Sequence, residues 1–217
     1  MLARASPSWL SRLVLSHQAY LYFPLLFFAR IIWGMQSAVY LLSAPAAGTP
    51  LSKDVTATRP LLHPVAERAG LLLHWALLAA LLWRACDSPA EAAAFFAVAQ
   101  CGSGLLLALA FGVGHNGMEV FDADARPSFS ELQVRTTRDV DNTGFNAWFM
   151  GGLHFQIEHH LFPTMPRHHL AAAAPFVREL CARHSVPYKC TGLWQGTREV
   201  LTHLGEIAME LHEHGPM

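Results

Sequence analysis

Three long apolar segments occupy the first half of the chain, and a more polar half follows them. The first runs from Tyr20 to Leu42, the second covers Ala69–Trp83, and the third extends from Ala92 to Met118. The third contains no charged residue and is longer than the roughly 20 residues that a transmembrane helix needs. It is the clearest candidate span. The second segment is shorter and ends in the polar turn 84–89, which suits a helical hairpin.

The first segment is interrupted by Pro24, Arg30 and Gln36. An arginine at mid-depth in a membrane costs at least about 2.5–3.5 kcal/mol on insertion scales. We therefore predict that residues 20–42 form an interfacial or re-entrant helix, with the Arg30 side chain extended to the membrane surface. A buried core helix of a soluble protein is the alternative.

Basic residues are distributed unevenly around the hairpin. Six precede Ala69, one lies in the turn at Arg84, and eight follow Met118. Because cytosolic flanks carry the excess of Lys and Arg, we predict two full crossings, at 66–84 and 92–114, with both termini cytosolic. The fold class is then an all-α integral membrane protein: a transmembrane helical hairpin and a cytosolic helical cap formed by residues 115–217.

Within the cap, residues 121–144 are polar and punctuated by Pro and Gly, which predicts an irregular stretch. A helix is expected from about Phe145 to Leu161, ended by Pro163. Pro166 and Pro175 each suit the first turn of a short helix.

The tail predicts one amphipathic helix, from Thr197 as N-cap to His212. Apolar residues at helical spacing share one face: Val200, Leu204, Ile207 and Leu211.

Composition supports the membrane assignment. Charged residues are 14% of the chain, against roughly 25% in soluble domains. The net charge of −1 provides no field that would recruit nucleic acid. Thirteen histidines against fifteen Lys plus Arg raise the question of metal or redox chemistry.

Candidate chemistry is concentrated in residues 151–167, GGLHFQIEHHLFPTMPR. In a helix over this string, Gln156, His159 and His160 stand at i, i+3 and i+4 on one face. Two imidazoles and an amide oxygen can then converge on one metal or face two. Imidazole suits iron, copper, zinc and nickel, so the spacing does not choose the metal. A solvated, hydrogen-bonded pair is the alternative.

For other polar residues we expect different roles. His115 and Asn116 lie at the cytosolic end of the third apolar segment, where a metal or metal-bound water would supply the partner that a polar pair needs. His168 and His169 also form a pair, but on a different helix, and are expected to be solvated or structural. His154 projects from another face and is expected to be structural, with support of a metal ligand as the alternative.

The string Gln-Ile-Glu-His-His-Leu-Phe-Pro at 156–163 resembles the third histidine box, Q-x-x-H-H, of front-end fatty-acyl desaturases of the delta-5 and delta-6 type. The similarity extends upstream through Gly114–Met118 and residues 124–138, and downstream through 196–201. It covers most of residues 114–205. The chain therefore resembles the C-terminal portion of such an enzyme.

The resemblance implies a di-iron enzyme that uses O₂ to place a cis double bond in an unsaturated acyl chain, carried as acyl-CoA or acyl-lipid. It also implies an endoplasmic-reticulum membrane and electrons from cytochrome b5. His159 and His160 match iron ligands, and Gln156 replaces the first histidine of the box. Asn116 matches a position that meets an iron-bound water, and His115 is a further candidate ligand. No catalytic residue beyond the metal ligands is implied.

Parts of the family pattern are missing from the 217 residues. They contain neither the H-x-x-x-H box, nor the H-x-x-H-H box, nor the haem motif of a cytochrome b5 domain. We therefore expect an incomplete desaturase, cut just after the second box and inactive as an isolated chain. The alternatives are a non-catalytic truncated membrane protein and a related membrane lipid hydroxylase.

Overall fold

The computed structural model describes residues 9–43, 61–122 and 124–214. In chain order the elements are α1 (Trp9–Ser16), α2 (Gln18–Phe27), α3 (Ala29–Ser43), α4 (Pro64–Ala85), α5 (Pro89–His115), α6 (Phe129–Arg135), β1 (Asp139–Val140), α7 (Gly144–Met150), α8 (Gln156–Leu161), α9 (Arg167–Arg183), β2 (Cys190–Thr191) and α10 (Leu193–His214). The chain forms two compact units. We call Leu25–Leu105 the hairpin unit, and Met1–Pro24 with Leu106–Met217 the cap unit.

Within the described residues, two helices are long and apolar enough to cross a membrane, α4 with 22 residues and α5 with 27. At 1.5 Å per residue they measure about 33 and 40 Å. The predicted fold class, an all-α membrane protein, is confirmed in the described part of the chain. The short connection between these helices ends in a reciprocal cap. The Glu91 N–H donates to Ser88 Oγ at 3.2 Å, and the Asp87 N–H donates to Glu91 Oε2 at 2.8 Å.

The predicted single segment 20–42 consists of two helices. α2 and α3 are bent by 65° at the intervening residue, as in a broken span or a re-entrant loop. Pro24 lies inside α2, where its missing N–H weakens the helix. Within the hairpin unit α3 packs on α4, and Arg68 Nε donates to the Leu41 carbonyl at 2.9 Å. The interfacial or re-entrant placement stays a prediction.

The cap unit is built around short helices and one parallel strand pair. β1 pairs with β2 in the register Asp139 with Cys190 and Val140 with Thr191. One apolar cluster joins the end of α5 to β1, α7 and α10: Ala110, Val113, Val140, Met150 and Leu193. A second joins α6, α8 and α9: Val134, Ile157, Val177 and Cys181. α8, which carries the predicted metal ligands, is therefore held from two sides.

The prediction of one helix from Phe145 to Leu161 was wrong. The chain forms α7 and α8 with a break between them, where Gly151 and Gly152 have φ of 55° and 98°. These left-handed conformations are inexpensive for glycine but interrupt a right-handed helix. α8 then ends at Leu161, before Pro163.

The stretch 121–144 was wrongly predicted to be irregular throughout. It contains α6 and β1, and both residues of β1 are buried. Ser128 Oγ caps α6 by accepting the Glu131 N–H at 3.2 Å, so a polar Ser-x-x-Glu signal marked this helix start.

Two further helix starts differ from prediction. Pro175 lies inside the single helix α9. Ala171 and Pro175 are both exposed, so water can satisfy the carbonyl that loses its partner. α10 begins four residues before Thr197, whose hydroxyl donates to the Leu193 carbonyl at 2.8 Å. The predicted apolar face of α10 is buried or partly buried.

Candidate metal site

α8 presents three of the predicted ligands on one face. It is helical from Gln156 to Leu161, so Gln156, His159 and His160 stand at i, i+3 and i+4. Gln156 is buried, and the two histidines are half-buried. Their ring centroids lie 5.8 Å apart. The face therefore presents two imidazoles and one amide beside one another.

The last residue of α5 meets this face. His115 Nε2 lies 2.9 Å from Gln156 Nε2, and the ring centroids of His115 and His160 lie 4.9 Å apart. The amide N–H of Gln156 donates to a ring nitrogen that carries no proton, so the contact fits a neutral imidazole. A histidine at the end of a candidate membrane span and a histidine pair 44 residues later thus form one cluster.

Gln133 of α6 contacts the other side of His160. The Nδ1–H of His160 donates to Gln133 Oε1 at 2.9 Å, which leaves the Nε2 lone pair free for a metal. Burial lowers the pKa of His160, and positive charge on His115 and His159 would lower it further. Both effects favour the neutral ring, which is the form that binds a metal. Sequence reasoning missed Gln133, because it lies in the stretch predicted to be irregular.

Asn116, one residue beyond α5, pairs with α2. Its Nδ2 donates to the Tyr22 hydroxyl at 3.1 Å. Its backbone carbonyl accepts from Arg138 Nη2 at 3.3 Å. The predicted contact of Asn116 with a metal-bound water stays a prediction.

The chemistry of the donor set fits a metal that accepts neutral imidazole and amide ligands, as iron does. The set comprises His115, His159, His160 and Gln156, and His160 has its ring orientation fixed by a second residue. Within the described ranges, no three His, Cys, Asp or Glu side chains are arranged to hold one ion. These residues therefore fit part of a ligand set, which α5 and α8 bring together.

Two fully buried carboxyl groups, Asp139 of β1 and Glu158 of α8, lie close together, and sequence reasoning missed them. Asp139 Oδ1 accepts the Ile157 N–H at 2.9 Å. The Tyr188 hydroxyl bonds Asp139 Oδ2 and also lies 2.9 Å from Glu158 Oε1. The β1–β2 pairing brings Tyr188 to this place. Asp139 thus connects the strand pair to the helix that carries the histidines.

For both contacts of the Tyr188 hydroxyl to be hydrogen bonds, one of the two carboxyl groups must carry a proton. A phenol has one hydrogen, so the Tyr188 hydroxyl donates to one carboxylate and needs a proton from the other. Burial raises the pKa of Asp139 to about 8, and the nearby charge of Glu158 contributes. The raised pKa of Asp139 favours the arrangement in which Asp139 keeps its proton and donates to Tyr188.

A buried arginine joins the end of α5 to α10. Arg138 is fully buried and donates to the Gly196 carbonyl at 3.1 Å. Its guanidinium also forms an ion pair with Glu199 at 3.2 Å. Its backbone N–H donates to the Gly114 carbonyl at 2.9 Å. These contacts fix the segment that carries the candidate ligands of α5.

The remaining histidines near the box have other surroundings. His168 and His169 lie in the first turn of α9 and are exposed, with ring centroids 4.1 Å apart. His154 is buried, its Nε2 lies 3.1 Å from Asn142 Oδ1, and burial lowers its pKa. The structural role expected for His154 stays a prediction.

Comparison with known proteins identifies the family. Residues 3–192 match the fatty acid desaturase family model, so the chain belongs to the fatty acid desaturase family. It is 37% identical over 198 residues to an acyl-lipid (9-3)-desaturase of Physcomitrium patens, covering 90% of this chain and 34% of that protein. It is 37% identical over 144 residues to a delta(6)-fatty-acid desaturase of Caenorhabditis elegans, covering 65% of this chain and 32% of that protein.

A further relative extends the same similarity. A delta(8)-fatty-acid desaturase of Helianthus annuus is 30% identical over 208 residues, which cover 94% of this chain and 41% of that protein. The chain thus spans about a third to two fifths of the length of these relatives. No solved structure matches the chain at a comparable level of significance.

Proposed function

We propose that this chain is the metal-binding C-terminal portion of a front-end fatty-acyl desaturase, which introduces a cis double bond into an unsaturated acyl chain. The observation that carries the proposal is the meeting of His115, at the end of a candidate membrane span, with Gln156 and His160 on α8. Names of the relatives, among them delta(6)- and acyl-lipid desaturases, support the substrate class.

The chemistry would need a di-iron centre. When bound, two irons supply the activation of O₂ that C–H bonds without a polar handle require. His159 and His160 would hold iron through their ring nitrogens, with His115 and Gln156 as further ligands. Asn116 would hold a water near the metal. Cytochrome b5 is the electron donor that we propose, with an acyl-CoA or acyl-lipid as substrate.

The chain's own residues contribute by fixing the positions of the candidate ligands. Gln133 orients His160 so that Nε2 faces the site. The Ile157 N–H, bound to Asp139, fixes the start of α8. With α5 crossing the membrane, the cluster would lie where an apolar chain can reach it from the bilayer.

Activity is tested by joining the 217 residues to the part of the Physcomitrium patens relative that they do not align with, about two thirds of that protein. The chimera is expressed in a desaturase-deficient yeast supplied with polyunsaturated precursors, and fatty-acid methyl esters are analysed. We expect a new cis double bond in the chimera and none with the 217 residues alone, because the latter offer too few ligands for two metals. Chimera protein in the membrane without any new product would contradict the proposal. A hydroxylated product would indicate a lipid hydroxylase instead.

We further infer that α4 and α5 both cross the endoplasmic-reticulum membrane with both chain termini in the cytosol. The inference rests on the six, one and eight basic residues before, within and after the hairpin. Glycosylation tags should be modified in the turn near Asp87 and remain unmodified near Thr49 and at both termini. A modified tag near Thr49 would rule out this topology.

A further inference from the structure

Three large aromatic side chains of the cap unit are exposed close to the end of α5. In α7, Phe145 is 55% exposed and Trp148 is 77% exposed. In the first turn of α10, Trp194 is 70% exposed. We call these three residues the aromatic collar. A contiguous exposed apolar patch is typical of a surface that contacts a membrane or another protein.

The two helices that carry the collar pack against the same part of α5. Met150 of α7 and Leu193 of α10 share an apolar cluster with Ala110 and Val113. Leu193 directly precedes Trp194 in the chain, so that cluster places the start of α10 at the same level. The two helices that carry the collar, α7 and α10, therefore both pack on the last two turns of α5.

In α7 the collar is tied to the same cluster through Phe149. Phe149 packs against the cluster, and the ring of Phe145 stacks on it with a centroid distance of 5.6 Å. The Trp148 ring lies 6.1 Å from that of Phe145. The aromatic groups of α7 therefore form one continuous surface that leads outward from α5.

The length of α5 indicates how deep in a membrane Ala110 and Val113 would lie. Glu91 is the charged residue in its first turn, and an uncharged stretch begins at Ala92. About 20 residues at 1.5 Å each cross a hydrocarbon core of about 30 Å. Counted from Ala92, the core ends near Phe111. Ala110 and Val113 therefore lie at the boundary between hydrocarbon and headgroups.

The composition of the collar suits that boundary. α7 contains no charged residue. Tryptophan is enriched at membrane–water boundaries, where its ring is apolar and its N–H can bond headgroup oxygens. We propose that the aromatic collar is embedded in the bilayer boundary at which α5 emerges, and that it holds the cap unit against the membrane. The proposal rests on α5 crossing the membrane and not on the desaturase activity.

An exposed aromatic residue elsewhere provides the matched control. Phe176 of α9 is 73% exposed, but the buried side of α9 packs with α6 and α8 through Val177 and Cys181. These contacts are not with the end of α5, so we expect Phe176 to lie away from the membrane boundary and to face water. Comparison of Phe176 with Trp148 and Trp194 separates contact with lipid from mere exposure.

Site-directed spin labelling of the whole 217-residue chain in lipid vesicles tests the proposal. The four native cysteines are replaced by alanine, and one spin label is placed at a time through Trp148→Cys, Trp194→Cys or Phe176→Cys. Accessibility to O₂ and to a water-soluble nickel chelate is then measured. We expect the ratio of O₂ to nickel accessibility to be several-fold higher at 148 and 194 than at 176.

Each other outcome overturns the proposal. High nickel accessibility at 148 and 194 would place the collar in water. Low accessibility to both reagents would mean that protein, including a second copy of the chain, covers it.

A second measurement keeps the four native cysteines, because replacing buried cysteines can destabilise the protein. When brominated lipids quench tryptophan fluorescence, Trp148→Phe removes one fluorophore. The emission that this substitution removes, obtained as the difference from the wild-type protein, should be quenched by the brominated lipids if Trp148 lies in lipid. Lost emission that the brominated lipids do not quench would contradict the proposal.

Discussion

At the scale of single residues, Asp139 is the group whose ionisation should matter most for folding. Its pKa is about 8 in the folded chain and 3.8 ordinarily, mainly because burial disfavours the carboxylate. A raised pKa gives stability that is complete below about pH 4 and is lost as the pH rises to about 8. We therefore expect wild-type stability to fall relative to Asp139→Asn across this window, since the amide cannot ionise.

The variant keeps the contacts that the protonated acid makes. Its Oδ1 can accept the Ile157 N–H, and its Nδ2 can donate to Tyr188. Thermal unfolding midpoints of both proteins in detergent, followed from pH 4 to pH 8, give the comparison. Midpoints that change in parallel would show that Asp139 does not titrate between these values.

Residue spacing could predict only part of this site. The face formed by Gln156, His159 and His160 follows from helical periodicity within one short string. Gln133 and Asp139 could not be found that way, because a polar stretch resembles solvent-exposed loop. Tyr188, the partner of Asp139, is 49 residues away in the chain, and a strand pair of two residues each brings it close.

At the scale of elements, the packing of α10 against α5 depends on one glycine. A Cβ at Gly196 would lie 2.5 Å from Val113 Cγ2 and 2.9 Å from Thr191 Oγ1. We expect Gly196→Ala to destabilise the cap unit by roughly 1–3 kcal/mol through overpacking. For a chain of this size, that lowers the unfolding midpoint by several degrees.

Gly205, in the same helix, is the matched control. A Cβ there meets no atom within 4 Å. Gly205→Ala should be neutral or stabilise by up to about 1 kcal/mol, because alanine favours helix over glycine. Circular dichroism melts of both variants would decide, and equal midpoints would show that α10 does not pack as described.

Elements with strong local signals were predictable and those without were not. α4 and α5 follow from long uncharged runs, and the amphipathic face of α10 follows from its spacing. The break between α7 and α8 depends on the conformations of Gly151 and Gly152. A glycine pair can also lie within a helix, so the sequence alone did not specify the break. Pro175 remains in α9 because its turn faces solvent.

At the scale of the whole molecule, the cap unit gathers groups from distant parts of the sequence at the end of one helix. His115 ends α5, the histidine pair lies on α8, and Arg138 connects the residues after α5 to α10. Family membership follows from the sequence comparison. The arrangement shows how residues far apart in a largely apolar chain form one polar cluster.

The central claim is that the pair on α8, and not the pair on α9, binds the metal. The direct measurement is fatty-acid analysis of yeast that expresses the chimera with His160→Ala or with His168→Ala, at equal amounts of membrane protein. His160 lies in the cluster with His115 and Gln133, whereas His168 is exposed on α9. We predict that His160→Ala abolishes the new double bond and that His168→Ala retains most of it. Equal loss in both variants, or retained product in His160→Ala, would contradict the account.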